Sequence, residues 1–120
     1  MVIGTKTRYV LPDITVFEIS GRLHLGNNLL SIETALRKIV GEGGRKLVID
    51  VAALDYVDSS GIGMMAATLK EVRTHGGDLR LLRLNTHGQR LFSVLKLKTT
   101  FEIFDDEAVA LRSFEFRPHG

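Results

Sequence analysis

Apolar and polar residues alternate with period two at the start of the chain. Residues 6–11, KTRYVL, and residues 14–19, ITVFEI, read as two strands. Pro12-Asp13 between them supplies a hairpin turn, because proline fixes its own backbone angle. Ser20-Gly21 ends the second strand, and the loop RLHLGNN follows. The period then changes. Leu29, Leu30, Ile32, Leu36 and Val40 recur at helical spacing, which predicts a helix over 28–41, stopped by GEGG. KLVIDV, 46–51, is a nearly continuous apolar run, the pattern of a strand buried on both faces between parallel neighbours. AALDYVD, 52–58, reads as a loop. A helix begins near Ser59, with Ile62, Met65, Ala66, Leu69 and Val72 on one stripe, and HGGD ends it.

A strand is predicted at 79–84, LRLLRL. A helix follows at 85–96 with Leu91, Val94 and Leu95 inward, then a strand at 101–104. Residues 105–114 open with acids, which suit a helix N-terminus, and form the last helix. The tail EFRPHG reads as frayed. The order β-β-α-β-α-β-α-β-α predicts an α/β fold: a mixed, mostly parallel sheet of four or five strands with about four helices. No repeat, linker or low-complexity segment interrupts it. Residues 1–120 read as one domain with its core at about 5–114.

Composition narrows the function. No apolar run is long enough to span a bilayer, and MVIGTKTRYVLPD lacks the apolar stretch of a secretory signal. There are no cysteines, which removes disulfides, thiol catalysis and thiolate metal sites and fits the cytoplasm. The net charge is +2, from 16 basic and 14 acidic residues, and the basic ones are scattered without an aromatic-interleaved stripe. Direct nucleic-acid binding is not expected.

The segment Asp58-Ser59-Ser60-Gly61 stands where the second helix begins. Asp and Ser are preferred N-caps, because their oxygens accept from free backbone N–H groups. A cap needs one such residue, and here there are three in a row. Gly61 and Gly63 in the first turns each cost about 1 kcal/mol against alanine. They suggest backbone lying close to a packed strand or a partner. A hydroxyl at a positive helix end is also a good place to hold a phosphate. A phosphate on Ser59 adds roughly −1.5 to −2 charges, which the helix end tolerates and an acidic or apolar partner does not.

With these residues in view, LVIDVAALDYVDSSGIG resembles the signature of the STAS domain family, specifically its bacterial anti-sigma-factor antagonists. ITVFEISGRL, GGDLRLLRLN and RLFSVLKLKTTFEIFDDEAVAL resemble the family's other segments, so the likeness covers nearly the whole chain. The resemblance implies a mechanism. The unmodified protein binds an anti-sigma factor that is also a serine kinase, and a sigma factor is freed. Phosphorylation of Ser59 releases the partner, and a PP2C-type phosphatase resets the switch. No catalysis and no cofactor are implied. Asp58, Ser60 and Gly61 shape the phosphoacceptor loop, and the 21–28 segment, with Arg22, His24 and Asn27, borders the partner face.

One departure stands out. The family usually reads G-E-[LI]-D where this chain has Gly21-Arg22-Leu23-His24. If this loop sits beside Ser59, the exchange makes the local field more positive and favours phosphoserine, and it puts the usual kinase partnership in question. The alternative is a non-switching STAS scaffold of a stressosome-type or other signalling complex. Monomer and weak dimer both suit a domain of this size.

Met64 lies off the apolar stripe, in line with Thr68, Glu71 and His75. It suits either an adaptable partner contact or half-buried packing. Asp50, Asp55 and Asp58 cluster in sequence, but turn and cap roles explain each, and no metal site is assigned. His24, His75, His87 and His119 lack metal-ligand spacing. DSSGIG is not a nucleophile elbow, and GEGGRK lacks the end of a phosphate-binding loop. A small hydrolase or NTP-binding protein is therefore the weaker class.

Overall fold

The computed structural model describes residues 3–115, and Asn27 by its backbone alone. Strand β1 (Gly4–Val10) pairs antiparallel with β2 (Ile14–Leu23), with Val10 opposite Ile14 and Gly4 opposite Ser20. Helix α1 (Asn27–Gly41) leads to β3 (Lys46–Asp50), which lies parallel to the first half of β2. β4 (Leu54–Val57) and helix α2 (Ser59–Thr74) follow, then β5 (Asp78–Leu82) parallel to β3. Helix α3 (Thr86–Val94), strand β6 (Glu102–Phe104) and helix α4 (Glu107–Arg112) complete the order. The sheet runs β1-β2-β3-β5-β6, and β4 pairs with β2 off that path.

Three expectations are corrected here. Residues 54–57 are a strand, not part of a loop, and the described sheet has six strands rather than four or five. Ser20-Gly21 does not end β2. Gly21 has φ 98°, and the register shifts there, so the strand bulges and runs on to Leu23. Leu23 then pairs with Val57, and both are buried. A four-residue strand with only Leu54 and Val57 inward carries no period-two signal strong enough to read from sequence.

The apolar run of β3 has the predicted cause. Leu47 and Ile49 face the α1/α2 core, while Val48 packs with Ile14, Val16, Leu82, Ala110 and Phe114 under α4. Buried Arg80 anchors that second layer. Its guanidinium contacts Asp78 at 2.8 Å and Glu102 at 3.0 Å and lies 4.5 Å from the Phe114 ring centre. Burial alone pushes the Asp78 carboxyl up, but hydrogen bonds from Arg80, the Leu79 N–H and Arg73 outweigh it and hold it below the usual range. Arg8 of β1 bonds Glu18 and, through a second nitrogen, Glu107 at 2.7 Å, tying the edge strand to α4.

Two helix faces differ from expectation. In α3, Phe92 is the buried residue and Val94 is 74% exposed. Gly88 and Phe92 stand four apart and face the core, where Phe92 meets Phe101 edge-on at 5.2 Å; position 94 points away. In α1, Leu30 is exposed while Ile32, Leu36 and Val40 are buried.

Candidate functional site

The site is built where β2, β4 and α2 meet. Asp58 is the N-cap of α2: its backbone is extended, and its Oδ1 accepts from the Gly61 N–H at 2.9 Å. The same residue ties in the 24–25 loop. Its N–H donates to the Leu23 carbonyl at 3.1 Å, and its Oδ2 accepts from the Leu25 N–H at 3.1 Å. His24 is thus bracketed by two bonds to residue 58. The segment that departs from the usual acidic pattern, the end of β2 and His24, is thus tied to the residue that precedes Ser59.

Ser59 is the first residue of the 16-residue helix α2 and is exposed; Ser60 is half-buried. Neither hydroxyl hydrogen-bonds to any described residue. Both are chemically available, and Ser59 is the more accessible. Its backbone sits where the helix dipole and free N–H groups favour negative charge.

Gly61 lies under this turn. A Cβ there would fall 2.7 Å from Val57 Cγ2 and 3.1 Å from the Leu23 side chain. Close packing on the β2/β4 pair therefore accounts for this glycine. Gly63 differs: a Cβ there meets nothing within 4 Å, so no packed strand requires it. Met64 also departs from one of its two expected roles. It is 5% exposed and belongs to the core, so it offers no partner contact. α1 packs beside α2, and within α2 Thr68 donates to the Met64 carbonyl at 2.9 Å.

Arg22 projects from β2 over the ring of Tyr56 on β4, with its guanidinium carbon 4.3 Å from the ring centre. Tyr56 in turn stacks on His87 of α3, at 5.8 Å between ring centres and 21° between planes. The Arg22 side chain makes no ion pair and no hydrogen bond among the described residues. His24 is exposed, and its Nδ1 lies 3.2 Å from the Leu25 carbonyl. Leu25, 72% exposed, and Leu30, 61% exposed, add apolar surface to the 24–30 segment. Asn27 begins α1, and its side chain lies outside the described residues. Tyr56, His87 and Leu25 were not legible as site residues. Only the pairing of β4 with β2 brings Tyr56 to Arg22.

The three aspartates have separate surroundings. The buried Asp50 carboxylate accepts from the Ala52 N–H at 3.0 Å and from Arg83 at 3.2 Å. Asp55 is exposed, and Asp58 is occupied as a cap. Among the described residues no group of three metal-ligating side chains forms. No described helix is long and apolar enough to cross a membrane.

The fold is thus a forked, mostly parallel sheet with a capped, serine-bearing helix at the fork. The family model of the STAS domain matches residues 6–110, and the chain belongs to that family. BtrV of Bordetella bronchiseptica, described as an anti-sigma factor antagonist, is 27% identical over 88 residues, covering 73% of this chain and 76% of BtrV. The anti-sigma-B factor antagonist of Bacillus subtilis is 36% identical over 64 residues, 53% of this chain and 59% of that protein. Among solved structures, an anti-sigma factor antagonist from Thermotoga maritima superposes with a TM-score of 0.85 at 20% identity, over 93% of this chain and 95% of that one. The Bacillus cell fate determinant SpoIIAA in its phosphorylated form has the same fold, with a TM-score of 0.74 at 18% identity, over 92% and 98% of the two chains.

Proposed function

We propose that this chain is a phosphorylation-switched anti-sigma-factor antagonist, built as one STAS domain and without catalytic activity of its own. The unmodified form binds a serine-kinase anti-sigma factor and so frees a sigma factor; phosphate on Ser59 releases the kinase, and a PP2C-type phosphatase restores the binding form. The carrying observation is the Ser59 hydroxyl, exposed and without a hydrogen-bond partner among the described residues, at the start of a capped helix. The relatives named as antagonists support the partner class, and a phosphorylated structure of the same fold supports the chemistry. Phosphate at this position leaves the fold intact, because the helix end accepts negative charge, while a docked acidic or apolar surface is repelled or desolvated.

Intact-mass spectrometry tests this after incubation with ATP and the serine kinase encoded nearest to the chain. A phosphate-sized gain in wild type, absent in Ser59→Ala, is the expected result. Gain in both moves the site, with Ser60 next. No gain with several active kinases supports the non-switching scaffold instead.

A further inference from the structure

Several basic side chains have carboxylate or carbonyl partners, among them Arg8, Arg45, Lys46, Arg80 and Arg83. Arg22 instead lies on Tyr56, which is backed by His87. The aromatic platform fixes its guanidinium while leaving its N–H donors without described acceptors. Tyr56 precedes Ser59 by three residues, a span of at most about 10 Å of chain. The two bonds that bracket His24 hold residues 23–25 against Asp58, and Arg22 is opposite Tyr56 in the β2/β4 ladder, so the Arg22 stem starts close to the serine turn.

We infer that Arg22, parked on Tyr56 in the unmodified protein, is the internal counter-ion for a phosphate on Ser59, with His24 as a second donor beside it. The phosphoryl group needs an acceptor for its charge, and a planar fork of N–H donors matches two of its oxygens. Asp58 cannot supply this and opposes it. The phosphorylated state is then a closed ion pair on the protein's own surface. It shows a partner less net charge than a free phosphoserine, and a phosphatase must first draw the phosphate off the guanidinium. The inference rests on Ser59 as the phosphoacceptor, but its test does not need the kinase.

Phosphoserine is installed at position 59 by genetic encoding, in wild type, Arg22→Gln and Tyr56→Leu, and the phosphate is titrated by phosphorus NMR. A free phosphoserine titrates at about 6. An exposed ion pair is worth about 0.2–1 kcal/mol, so the wild-type value is expected roughly 0.2–0.7 below that of Arg22→Gln. High salt should close most of that gap, and Tyr56→Leu should narrow it. The helix dipole acts on all three proteins alike and cancels. Equal titrations in wild type and Arg22→Gln overturn the inference. A lowered wild-type value together with no phosphorylation by any kinase leaves the counter-ion standing and removes the switch.

Discussion

The Leu25 N–H and the Gly61 N–H bind the two oxygens of one carboxylate, Asp58, at 3.1 Å and 2.9 Å. A single side chain thus starts α2 and ties down the loop that follows β2 and carries His24. Removing it in Asp58→Ala deletes both bonds. The expected loss is about 1–2 kcal/mol in urea unfolding, as for a strong N-cap. Asp58→Asn retains a capping oxygen and should lose less.

The two glycines of α2 should respond with opposite signs. In Gly61→Ala the new methyl meets Val57 Cγ2 at 2.7 Å, and valine is stiff about χ1. Overpacking of this kind costs about 1–3 kcal/mol, more than the roughly 1 kcal/mol of helix propensity gained. Gly63→Ala enters open space and should stabilise by up to about 1 kcal/mol. Equilibrium unfolding of both variants decides the matter; destabilisation by both would show that Gly63 is constrained after all.

Met64 should behave as a core residue. Met64→Leu conserves volume and should change stability by less than about 1.5 kcal/mol, whereas Met64→Ala should cost about 2–5 kcal/mol. Neither change should alter partner affinity beyond what unfolding explains, which a pull-down at low temperature checks.

Acid should loosen the β1–α4 connection. The hydrogen bond from Arg8 is the main cause holding the Glu107 carboxyl below its usual range, against a smaller opposing effect of burial. A carboxylate with a lowered folded pKa stabilises the fold above its unfolded value and loses that contribution as pH falls through the folded one. Asp78, lowered through Arg80, the Leu79 N–H and Arg73 against burial, adds in the same direction. Melting temperature is therefore expected to fall as pH drops below about 4. In Glu107→Gln the fall should be shallower and the value at pH 7 lower. An unchanged slope would mean that the pair contributes nothing.

Long periodic segments were legible in the sequence and short or context-dependent ones were not. The buried run at 46–51 and the stripe of Ile62, Met65, Leu69 and Val72 announced β3 and α2, since each faces one environment along its length. Leu54-Asp55-Tyr56-Val57 did not announce β4, because its pairing is set by the bulge at Gly21, distant in sequence. Leu91, Val94 and Leu95 are expected inward, but the phase of α3 is set by Gly88 and Phe92, which leaves Val94 and Leu95 exposed. Met64 lies beside the main stripe, and its burial becomes visible only in the assembled core. The serine turn stood out in sequence, whereas the platform of Tyr56 and His87 beneath Arg22 exists only after β4 joins β2.

The fork in β2 has a kinetic consequence. Its first half is zipped to β3 and its last residues to β4, so the segment presenting Ser59 is held by ladder bonds before any partner arrives. Little chain remains to be ordered during encounter. Association should proceed as a rigid-body collision, with a rate constant in the ordinary range of about 10⁵–10⁷ M⁻¹s⁻¹, and the lifetime of the complex is then the quantity left for a phosphate to change.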